Sequence, residues 1–527
     1  MQTLKPIPAV LIFSAIAYLG VACERTDTPT GTRSPVHAVL LSSDPTTRWV
    51  NAVDPNGFPY SPPGTSCDNP GYPTIQDAVT NASSGDRINV CPGTYTEQVT
   101  IPAGKDNLRL RSTKRWEAVI KAPPVMASPK AIVRVSGAQN ATILAFTVTG
   151  PGGSGCDALE YGVRVDNGGS ADILGNHITE IRDNPFSGCQ NGVAILVGRL
   201  AELTTGSARI MGNVIDRYQK NGPTVSNAGS NAEIVNNRIL GVGPTAVIAQ
   251  NGIQASGGAT AEIRHNFVSG NVYTPQAVAA TGILLFESGT VVVEHNTVSA
   301  NDVGIYMFNA ATGSAAPYNH VRGSSFDGVV LDGATSNQVA HNKTHQNTGP
   351  GIGVYDGSQQ NTLDDNSIED NQDSGILLDD GDGNGVGNNR VRNNGTPGLD
   401  QTDGIRVNAL ALSNTIHDNH LRDNVTHDCH DNSFGTGTAG TANTWTGNHG
   451  ATDLPSGLCT RDSDDADFQT STAFGWDPAY PWYDGLDLGG EYDWATAYAT
   501  IDTDGLLQLL PAIRLSGIRR ATPSPNE

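Results

Sequence analysis

The sequence predicts an all-β solenoid, in which a strand-rich unit of 22 to 30 residues winds repeatedly around one axis. The first observation is a glycine that leads a short apolar stretch and recurs at Gly162, Gly192, Gly222, Gly252, Gly282, Gly304, Gly328, Gly351, Gly375 and Gly404. The second is an asparagine 14 or 15 residues later in nine of the ten units, at Asn176, Asn213, Asn237, Asn266, Asn296, Asn319, Asn342, Asn366, Asn389 and Asn419. The third is composition: 61 glycines and 37% hydrophobic residues favour a long, turn-rich molecule.

Each unit carries apolar residues at the two-residue period of a strand, as at Ile352 and Val354. One coil buries little apolar surface, so coils must stack, with equivalent residues about 4.8 Å apart. Stacked asparagines then hydrogen-bond along the axis as a ladder. The segment HNKTHQNTGPGIGVYDG, residues 341–357, resembles a small active site, but its His341, Asn342 and Gly351 are interpreted as framework.

The segment PTIQDAVTNASSGDRINVCPGTYTEQVTI, residues 73–101, places Ile75, Ala78, Val79 and Ala82 at helical spacing, as in a helix that closes the open end of a solenoid. With the repeats, over roughly residues 70–450, it resembles right-handed parallel β-helix proteins of the pectin-lyase-like fold. The resemblance implies a single-stranded right-handed parallel β-helix of about twelve coils, with an N-terminal capping helix and a C-terminal cap. It implies no one activity, because this fold hosts lyases, hydrolases, epimerases and binding proteins.

The chain is predicted to divide into six parts. Residues 1–23 are interpreted as an export signal whose LGVAC resembles a bacterial lipoprotein processing site, with Cys23 lipidated; simple secretion is the alternative. A flexible linker (24–35), N-terminal strands with the capping helix (36–101), the β-helix (102–459), a C-terminal cap (460–520) and a disordered tail (521–527) follow. We expect an exported monomer at the outer membrane or cell surface, or a secreted one, touching membrane only through that anchor.

The other six cysteines form neighbouring pairs, Cys67 with Cys91, Cys156 with Cys189 and Cys429 with Cys459. In an oxidising compartment these pairs predict disulfides. Zinc is the competing interpretation, but no Cys-x-x-Cys or paired-histidine spacing supports it. The formal net charge of −22 excludes nucleic acid as a partner, because phosphates need basic groups. An acidic polymer would need local basic groups or bridging cations.

Extra residues enter the repeat at one turn, before the glycine-led strand, at 180–191, 241–251, 272–281 and 395–403. Such insertions project from one face, where repeat proteins bind partners. In the pectate-lyase resemblance, that turn and strand flank the polysaccharide groove. The alternation of side chains makes the groove's predicted substrate-binding residues Phe286, Tyr306, Phe308, Asp332, Tyr355 and Asn408. The alternative is that exposed strand residues vary freely and carry aromatics by chance.

Calcium is the one cofactor that the sequence suggests, at LLDDGDGNG, residues 377–385. The predicted ligands are Asp379, Asp380, Asp382 and Asn384. Of this segment, Asp380, Asp382, Asn384 and Gly385 match the first half of a calcium loop, D-x-D-x-N-G. The bidentate glutamate of an EF-hand is replaced by Val391, so an EF-hand is excluded. Turn-forming Asp and Gly explain much of the pattern without metal.

Two reactions on polysaccharide fit these residues, and neither has a complete signature. In calcium-dependent β-elimination on a uronic-acid polymer, family lyases use Arg or Lys as base, which points to Arg406 with Asp379 and Asp356. An Asp379–Arg406 surface ion pair is the simpler explanation. Hydrolysis would use Asp356, Asp379 and Asp380. A non-catalytic adhesion or envelope spacer is the rival function. A maturation factor would need metal ligands, for which only the group His417, His420, His427 and His430 is available.

Overall fold

The computed structural model describes residues 45–53, 56–57, 59–275 and 277–461. Three parallel sheets of 14, 15 and 13 strands run along one axis, and each complete coil contributes one strand to each sheet. Sheet I contains the glycine-led strands, and sheets II and III follow it in every coil. The one α-helix in this part of the chain is Ile75–Asn81, and Leu200–Glu202 and Thr438–Gly440 are 3-10 turns.

The strands of sheet I are Val99–Pro102, Ala131–Ser136, Tyr161–Asp166, Val193–Val197, Asn221–Ser226, Asn251–Ser256, Thr281–Phe286, Val303–Phe308, Val329–Asp332, Ile352–Tyr355, Ile376–Leu378, Ile405–Val407, Cys429–Asp431 and Asp453–Leu454. Ten of them carry the repeat glycine or follow it directly. The other four continue the sheet at both ends, so that sheet I has 14 strands where about twelve coils were predicted.

The strands of sheet II are Thr47–Val50, Arg87–Val90, Arg109–Ser112, Ala141–Leu144, Gly169–Leu174, Gly206–Met211, Asn231–Val235, Thr260–Arg264, Val291–Glu294, Ala315–Pro317, Gln338–Ala340, Thr362–Asp364, Gly385–Gly387, Thr415–His417 and Thr444–Thr446. Those of sheet III are Gly93–Thr96, Ala118–Lys121, Thr147–Thr149, His177–Thr179, Val214–Asp216, Arg238–Thr245, Phe267–Tyr273, Thr297–Ser299, His320–Arg322, Lys343–His345, Ser367–Glu369, Arg390–Arg392 and His420–Arg422. Two predicted insertions, at 241–251 and 272–281, therefore begin as extensions of sheet III strands.

The repeat glycine allows successive coils to approach closely. A Cβ added to Gly304 would lie 2.4 Å from the carbonyl oxygen of Gly328 and 2.2 Å from a methyl of Val321. The same conflict recurs at Gly222, whose Cβ would lie 2.3 Å from the carbonyl oxygen of Gly252. These distances are shorter than any non-bonded contact of a real Cβ atom. The repeat position therefore has no space for a side chain at the sheet I edge of the core.

The predicted asparagine ladder is confirmed between sheets II and III. The backbone N–H and the Nδ2 of Asn342 both donate to Oδ1 of Asn366, at 2.9 and 3.0 Å. Two further ladders were not predicted: one contains Asn337, Asn361, Asn384, Asn414 and Asn443, and the other contains Asn347, Asn371, Asn394 and Asn424. Each turn thus satisfies buried backbone groups with the amide of the next coil.

Replacing a ladder asparagine leaves several buried groups without partners. We expect Asn366→Ala to lower the free energy of unfolding by about 2–5 kcal/mol, because the Asn342 donors and the Val339 carbonyl lose their partner. Thr362→Ala, on the exposed side of the neighbouring strand, is the control and should change it by less than about 0.5 kcal/mol. Urea unfolding followed by circular dichroism measures both. Equal stabilities of the two variants would contradict the role of the ladder.

The framework interpretation of His341 agrees with its stacking. His341 has a φ of 56° and its ring stacks on Tyr318 at 4.6 Å between centroids, with 9° between the planes. Tyr318 stacks in turn on His295 at 5.0 Å, and His295 on His265 at 5.1 Å. These residues occupy the left-handed position before successive ladder asparagines, so their rings form a continuous row.

The N-terminal helix closes the core as predicted. Ile75, Ala78 and Val79 are buried, and Oγ1 of Thr74 accepts the N–H of Asp77. The carboxylate of Glu97 accepts the N–H groups of Ile75 and Gln76, both at 2.9 Å. The free N–H groups of the first turn therefore have acceptors.

The three predicted disulfides are confirmed, with Cα separations of 5.6 Å for Cys67–Cys91, 5.7 Å for Cys156–Cys189 and 6.3 Å for Cys429–Cys459. Because the sulfurs of each pair are bonded to each other, they do not serve as zinc ligands.

Among the described residues, no helix has the length and apolar character needed to span a membrane. Cys23, the linker, nearly all of the proposed C-terminal cap and the tail lie outside the described residues, and their predicted boundaries stay predictions.

Candidate functional site

The outer face of sheet I carries two columns of side chains in register. The first contains Leu284, Tyr306, Val330, Gly353, Leu377, Arg406 and His430. The second contains Phe286, Phe308, Asp332 and Tyr355, and Asp379 and Asn408 extend it past the strand ends. The alternation read from the sequence therefore places the predicted residues on one face, outside the core. This face begins apolar and aromatic and becomes charged toward the later coils.

Most of the aromatic residues in these columns are buried, which corrects the expectation of an exposed stacking platform. Phe286, Tyr306 and Tyr355 are 1–2% exposed, and only Phe308 is partly open. They form an apolar cluster separate from the core, together with Val303 and Phe326 from the sheet I edge and other column residues. Phe286 and Phe308 stack at 4.9 Å. Neighbouring apolar side chains on stacked strands remove each other from water, which the sequence pattern alone did not show.

The hydroxyl groups of two tyrosines in the cluster hydrogen-bond to buried carboxyl groups. The hydroxyl of Tyr306 donates to Oδ2 of Asp332 at 2.5 Å, and that of Tyr355 donates to Oδ2 of Asp327 at 2.7 Å. The Tyr355 ring folds back over Gly353, where a Cβ would lie 2.3 Å from the ring. Asp327 was missed by the sequence reasoning. The signal that could have found it is an acid directly before a repeat glycine, which recurs at Asp403.

Burial raises the pKa of three carboxyl groups on this face. Burial raises the pKa of Asp327 to about 8, against a lowering effect of the Tyr355 hydrogen bond. Burial, and then the charge and hydrogen bond of Asp356, raise the pKa of Asp332 to about 6, although Tyr306 lowers it. Burial also raises the pKa of Asp373 to about 6, and Arg406 lowers it in part. Burial therefore favours the protonated form of Asp327, and the charge and hydrogen bond of Asp356 favour the protonated form of Asp332.

The charged end of the face is organised around Asp403. Arg406 donates from Nη1 to Oδ2 of Asp403 at 2.9 Å and from Nε to Oδ1 of Asn408 at 2.9 Å. Asn408 donates in turn to Asp379. The predicted Asp379–Arg406 ion pair is therefore wrong. Arg406 pairs with Asp403, and Asn408 lies between Arg406 and Asp379.

Two family models match the chain. One, described as "Right handed beta helix region", matches residues 131–316. The other, described as "Periplasmic copper-binding protein (NosD)", matches residues 241–409. The chain is a right-handed parallel β-helix. The second match covers the columns from Leu284 to Asn408 and ends before His427 and His430. No curated protein matches the chain.

Several solved structures resemble this β-helix. DFA-IIIase from Arthrobacter chlorophenolicus A6 in complex with GF2 shares 16% identity over 70% of this chain and 94% of that chain, with a TM-score of 0.40. The mannuronan C-5 epimerase AlgE6 A-module of Azotobacter vinelandii shares 14% identity over 72% and 93%, with a TM-score of 0.35. The Dettilon tailspike protein shares 13% over 71% and 62%, with a TM-score of 0.39. Because the identities are below 25% and the TM-scores are below 0.5, the substrates of those proteins are not assigned to this chain.

The predicted calcium ligands do not converge as a set of four. Asn384 belongs to a ladder inside the β-helix: its Oδ1 accepts from Asn361 and its Nδ2 donates to Ser358 and Asn414. Asn384 is therefore wrong as a ligand, since its amide is used by the framework. Asp382 accepts the N–H of Leu412 at 2.8 Å, and Asp380 is exposed. Burial and then the charges of Asp382, Asp356 and Asp379 raise the pKa of Asp380. Calcium at the three aspartates stays a prediction.

The four histidines considered as metal ligands separate into two places. His417 lies on sheet II and His420 on sheet III, where its ring stacks on His449 at 5.0 Å. His427 and His430 lie together at the edge of sheet I, beside Asp403. The predicted group of four is therefore wrong, but two of its members share a carboxylate.

A concave groove of about 730 Å³ lies elsewhere, on the outer face of sheet II. Ser207, Arg209, Glu233 and Thr260 are among its lining residues, and none of the predicted site residues reaches it. Arg209 pairs with Asp172 at 3.4 Å within the same groove. Its charges are thus partly matched to each other, so the outer face of sheet I remains the candidate site.

Proposed function

We propose that this chain is an exported β-helix that binds a polysaccharide along the charged part of the outer face of sheet I and cleaves it by acid–base chemistry. The observation that carries the proposal is the hydrogen-bonded pair Asp332–Asp356, whose pKa near 6 for Asp332 allows one proton to be held and released near neutral pH. Asp356 is exposed, so a substrate can reach the pair from that side.

The neighbouring side chains supply the contacts that a saccharide requires. Phe308 offers a partly open ring, and Asp379 and Asn408 offer hydrogen-bonding groups in the same column. The Arg406 side chain is 17% exposed, so it can bind a substrate carboxylate while Asp403 holds it in place. These contacts follow the solenoid axis, which suits an extended chain better than a small molecule.

Elimination on a uronic-acid polymer is the more specific form of the proposal. Calcium held by Asp379, Asp380 and Asp382 would offset repulsion between the acidic face and the polymer. Arg406 would then act near the proton to be removed. Arg406 already donates hydrogen bonds to Asp403 and Asn408. This favours a role for Arg406 in stabilising negative charge over a role as the base.

Cleavage is measured with polyuronates by the absorbance of unsaturated products, with and without calcium, and with neutral polymers by the release of reducing ends. We expect Asp356→Asn to lower kcat at least about 100-fold, as is typical when a general acid or base is removed. Asp365→Asn is the control, since Asp365 is exposed on another turn and should leave activity unchanged. Product formation by Asp356→Asn at the wild-type rate would contradict the proposal.

A non-catalytic spacer is the second candidate function. The burial of Phe286, Tyr306 and Tyr355 favours it, because these rings then stabilise the solenoid and do not contact a ligand. Lipidation at Cys23 would place either kind of protein at a membrane surface. Absence of activity on every polymer, with unaltered binding by Asp379→Ala, would select the spacer. Loss of membrane association on Cys23→Ala tests the anchor.

A further inference from the structure

Three side chains with metal-binding atoms converge at the sheet I edge, beyond the Asp332–Asp356 pair. One carboxylate oxygen of Asp403 and one ring nitrogen each of His427 and His430 lie within 4.8 Å of one another. Nδ1 of His427 is 3.1 Å from Oδ1 of Asp403, and Nδ1 of His430 is 3.0 Å from Oδ2. We propose that these three residues bind one divalent transition-metal ion.

The distances between the ligand atoms fit a coordination sphere. A metal such as Zn²⁺ binds imidazole nitrogen at about 2.0–2.1 Å and carboxylate oxygen at about 2.0–2.2 Å, so adjacent ligand atoms lie about 2.9–3.5 Å apart. The two nitrogen–oxygen distances at Asp403 are within that range. An ion can therefore be accommodated with small side-chain adjustments and no change in the backbone.

The second nitrogen of His430 points to the same conclusion. Its Nε2 lies 3.0 Å from Oδ1 of Asn432, and with the amide in this orientation Nε2 is the nitrogen that carries the proton. In the neutral imidazole, Nδ1 then carries a lone pair and is an acceptor. It faces the carboxylate of Asp403, which is also an acceptor. A cation between the two atoms satisfies both. An imidazolium proton also satisfies them, and so does the Arg406 guanidinium, whose Nη1 lies 3.4 Å from Nδ1 of His430 and 2.9 Å from Oδ2 of Asp403. The experiment below distinguishes a bound metal from these two arrangements.

The surroundings hold the three ligands in place. Arg406 and the backbone N–H of His427 both donate to the Asp403 carboxylate, at 2.9 and 3.1 Å. The disulfide Cys429–Cys459 fixes the strand that carries His430. Outer contacts of this kind orient metal ligands in proteins. The His427 side chain is 25% exposed, which leaves an open position for water beside three protein ligands.

The ligand types and charges select a transition metal. Two imidazoles and one carboxylate suit Zn²⁺, Cu²⁺ or Ni²⁺, whereas Ca²⁺ and Mg²⁺ prefer oxygen ligands. Arg406 is a cation beside the site and opposes the metal charge. The Asp403 carboxylate lies between the two and pairs with Arg406 at 2.9 Å. This site is separate from the three aspartates considered for calcium, and it does not depend on the proposed cleavage.

The test is calorimetric titration of the tag-free full chain, treated with EDTA, with ZnCl₂ and separately with CuCl₂ at pH 7.5. We expect one site per chain. The double variant His427→Ala, His430→Ala should weaken binding at least about 100-fold, more than the 10–100-fold typical of outer contacts. His417→Ala removes a histidine on sheet II and is the matched control, with affinity unchanged. Electron paramagnetic resonance of the Cu²⁺ form should show coupling to two nitrogens.

Asp403→Asn provides a second variant that keeps side-chain size. Unfolding curves without metal establish that each variant is folded, and added Zn²⁺ should raise the midpoint of the wild-type chain and not that of the double variant. Stoichiometric binding lost in both ligand variants and kept in His417→Ala supports the site. No binding by the wild-type chain, which is the outcome for an imidazolium, or equal binding by all variants, overturns it.

Discussion

Asp327→Asn should remove the part of the pH dependence of stability between about pH 4 and pH 8 that comes from Asp327. Asp327 is fully buried, Tyr355 donates to its Oδ2, and its Oδ1 has no hydrogen-bond partner among the described residues. Burial raises the pKa of Asp327 to about 8, whereas an unfolded aspartate has a pKa of about 3.9. Asparagine resembles the protonated acid in shape and has no charge to bury.

The sign follows from proton linkage. Because the folded-state pKa of Asp327 is raised, the folded chain holds this proton more tightly than the unfolded chain. The stabilisation is fully present below about pH 4 and is lost as pH rises through about 8, at up to about 1.4 kcal/mol per pH unit. We therefore expect Asp327→Asn to exceed the wild-type free energy of unfolding by several kcal/mol at pH 8 and to match it near pH 4.

Urea unfolding at pH 4, 6 and 8 measures this difference, and the other carboxyl groups cancel when the two proteins are compared. Asp423→Asn is the control. Asp423 is largely exposed, and its φ of 57° lies in the left-handed region, which asparagine also adopts. Parallel stability curves for wild type and Asp327→Asn across this range would show that Asp327 is ionised when folded, contrary to our interpretation.

Gly304→Ala should destabilise the fold by about 3 kcal/mol or more. The added methyl would meet the Gly328 carbonyl oxygen at 2.4 Å and Val321 at 2.2 Å, and the carbonyl belongs to the next coil. Moving it would disturb the pairing of two strands, and overpacking of this kind costs about 1–3 kcal/mol even where only side chains shift.

Gly385→Ala is the matched control for this substitution. Gly385 also lies on a strand, but the nearest atom to its added Cβ is 4.0 Å away. The change should stay within about 0.5 kcal/mol. Thermal and urea unfolding of both variants measure the difference, and a Gly304→Ala protein as stable as Gly385→Ala would remove the spatial explanation of the repeat glycine.

The winding, the capping helix, the disulfides and the common face of the column residues could all be predicted from the sequence. They depend on spacing, and the glycine and asparagine positions repeat because stacking imposes the same constraint on every coil. The burial of Tyr306 and Tyr355 could not be predicted, because it depends on contacts with side chains such as Phe326 that are adjacent only in the folded chain.

Single residues were misassigned where one pattern serves two purposes. Asn384 completes a calcium-like sequence, yet its position is that of a ladder asparagine, and only its hydrogen bonds distinguish the two. Asp327 and Asp403 look like ordinary turn acids before a glycine. Their roles depend on Tyr355 and on His427 and His430, which reach them from other coils.

The three ladders determine how such a molecule can change in length. Each amide is bonded to its equivalent one coil away, so removal of a few residues from a strand or a ladder turn breaks the register there, whereas the segment before each sheet I strand varies in length and leaves the ladder intact. Removal of a complete coil, by contrast, brings equivalent amides together again and leaves both ends unaltered. The molecule is therefore extended or shortened in whole steps, and the distance between its two ends can vary without any change in the residues at either one.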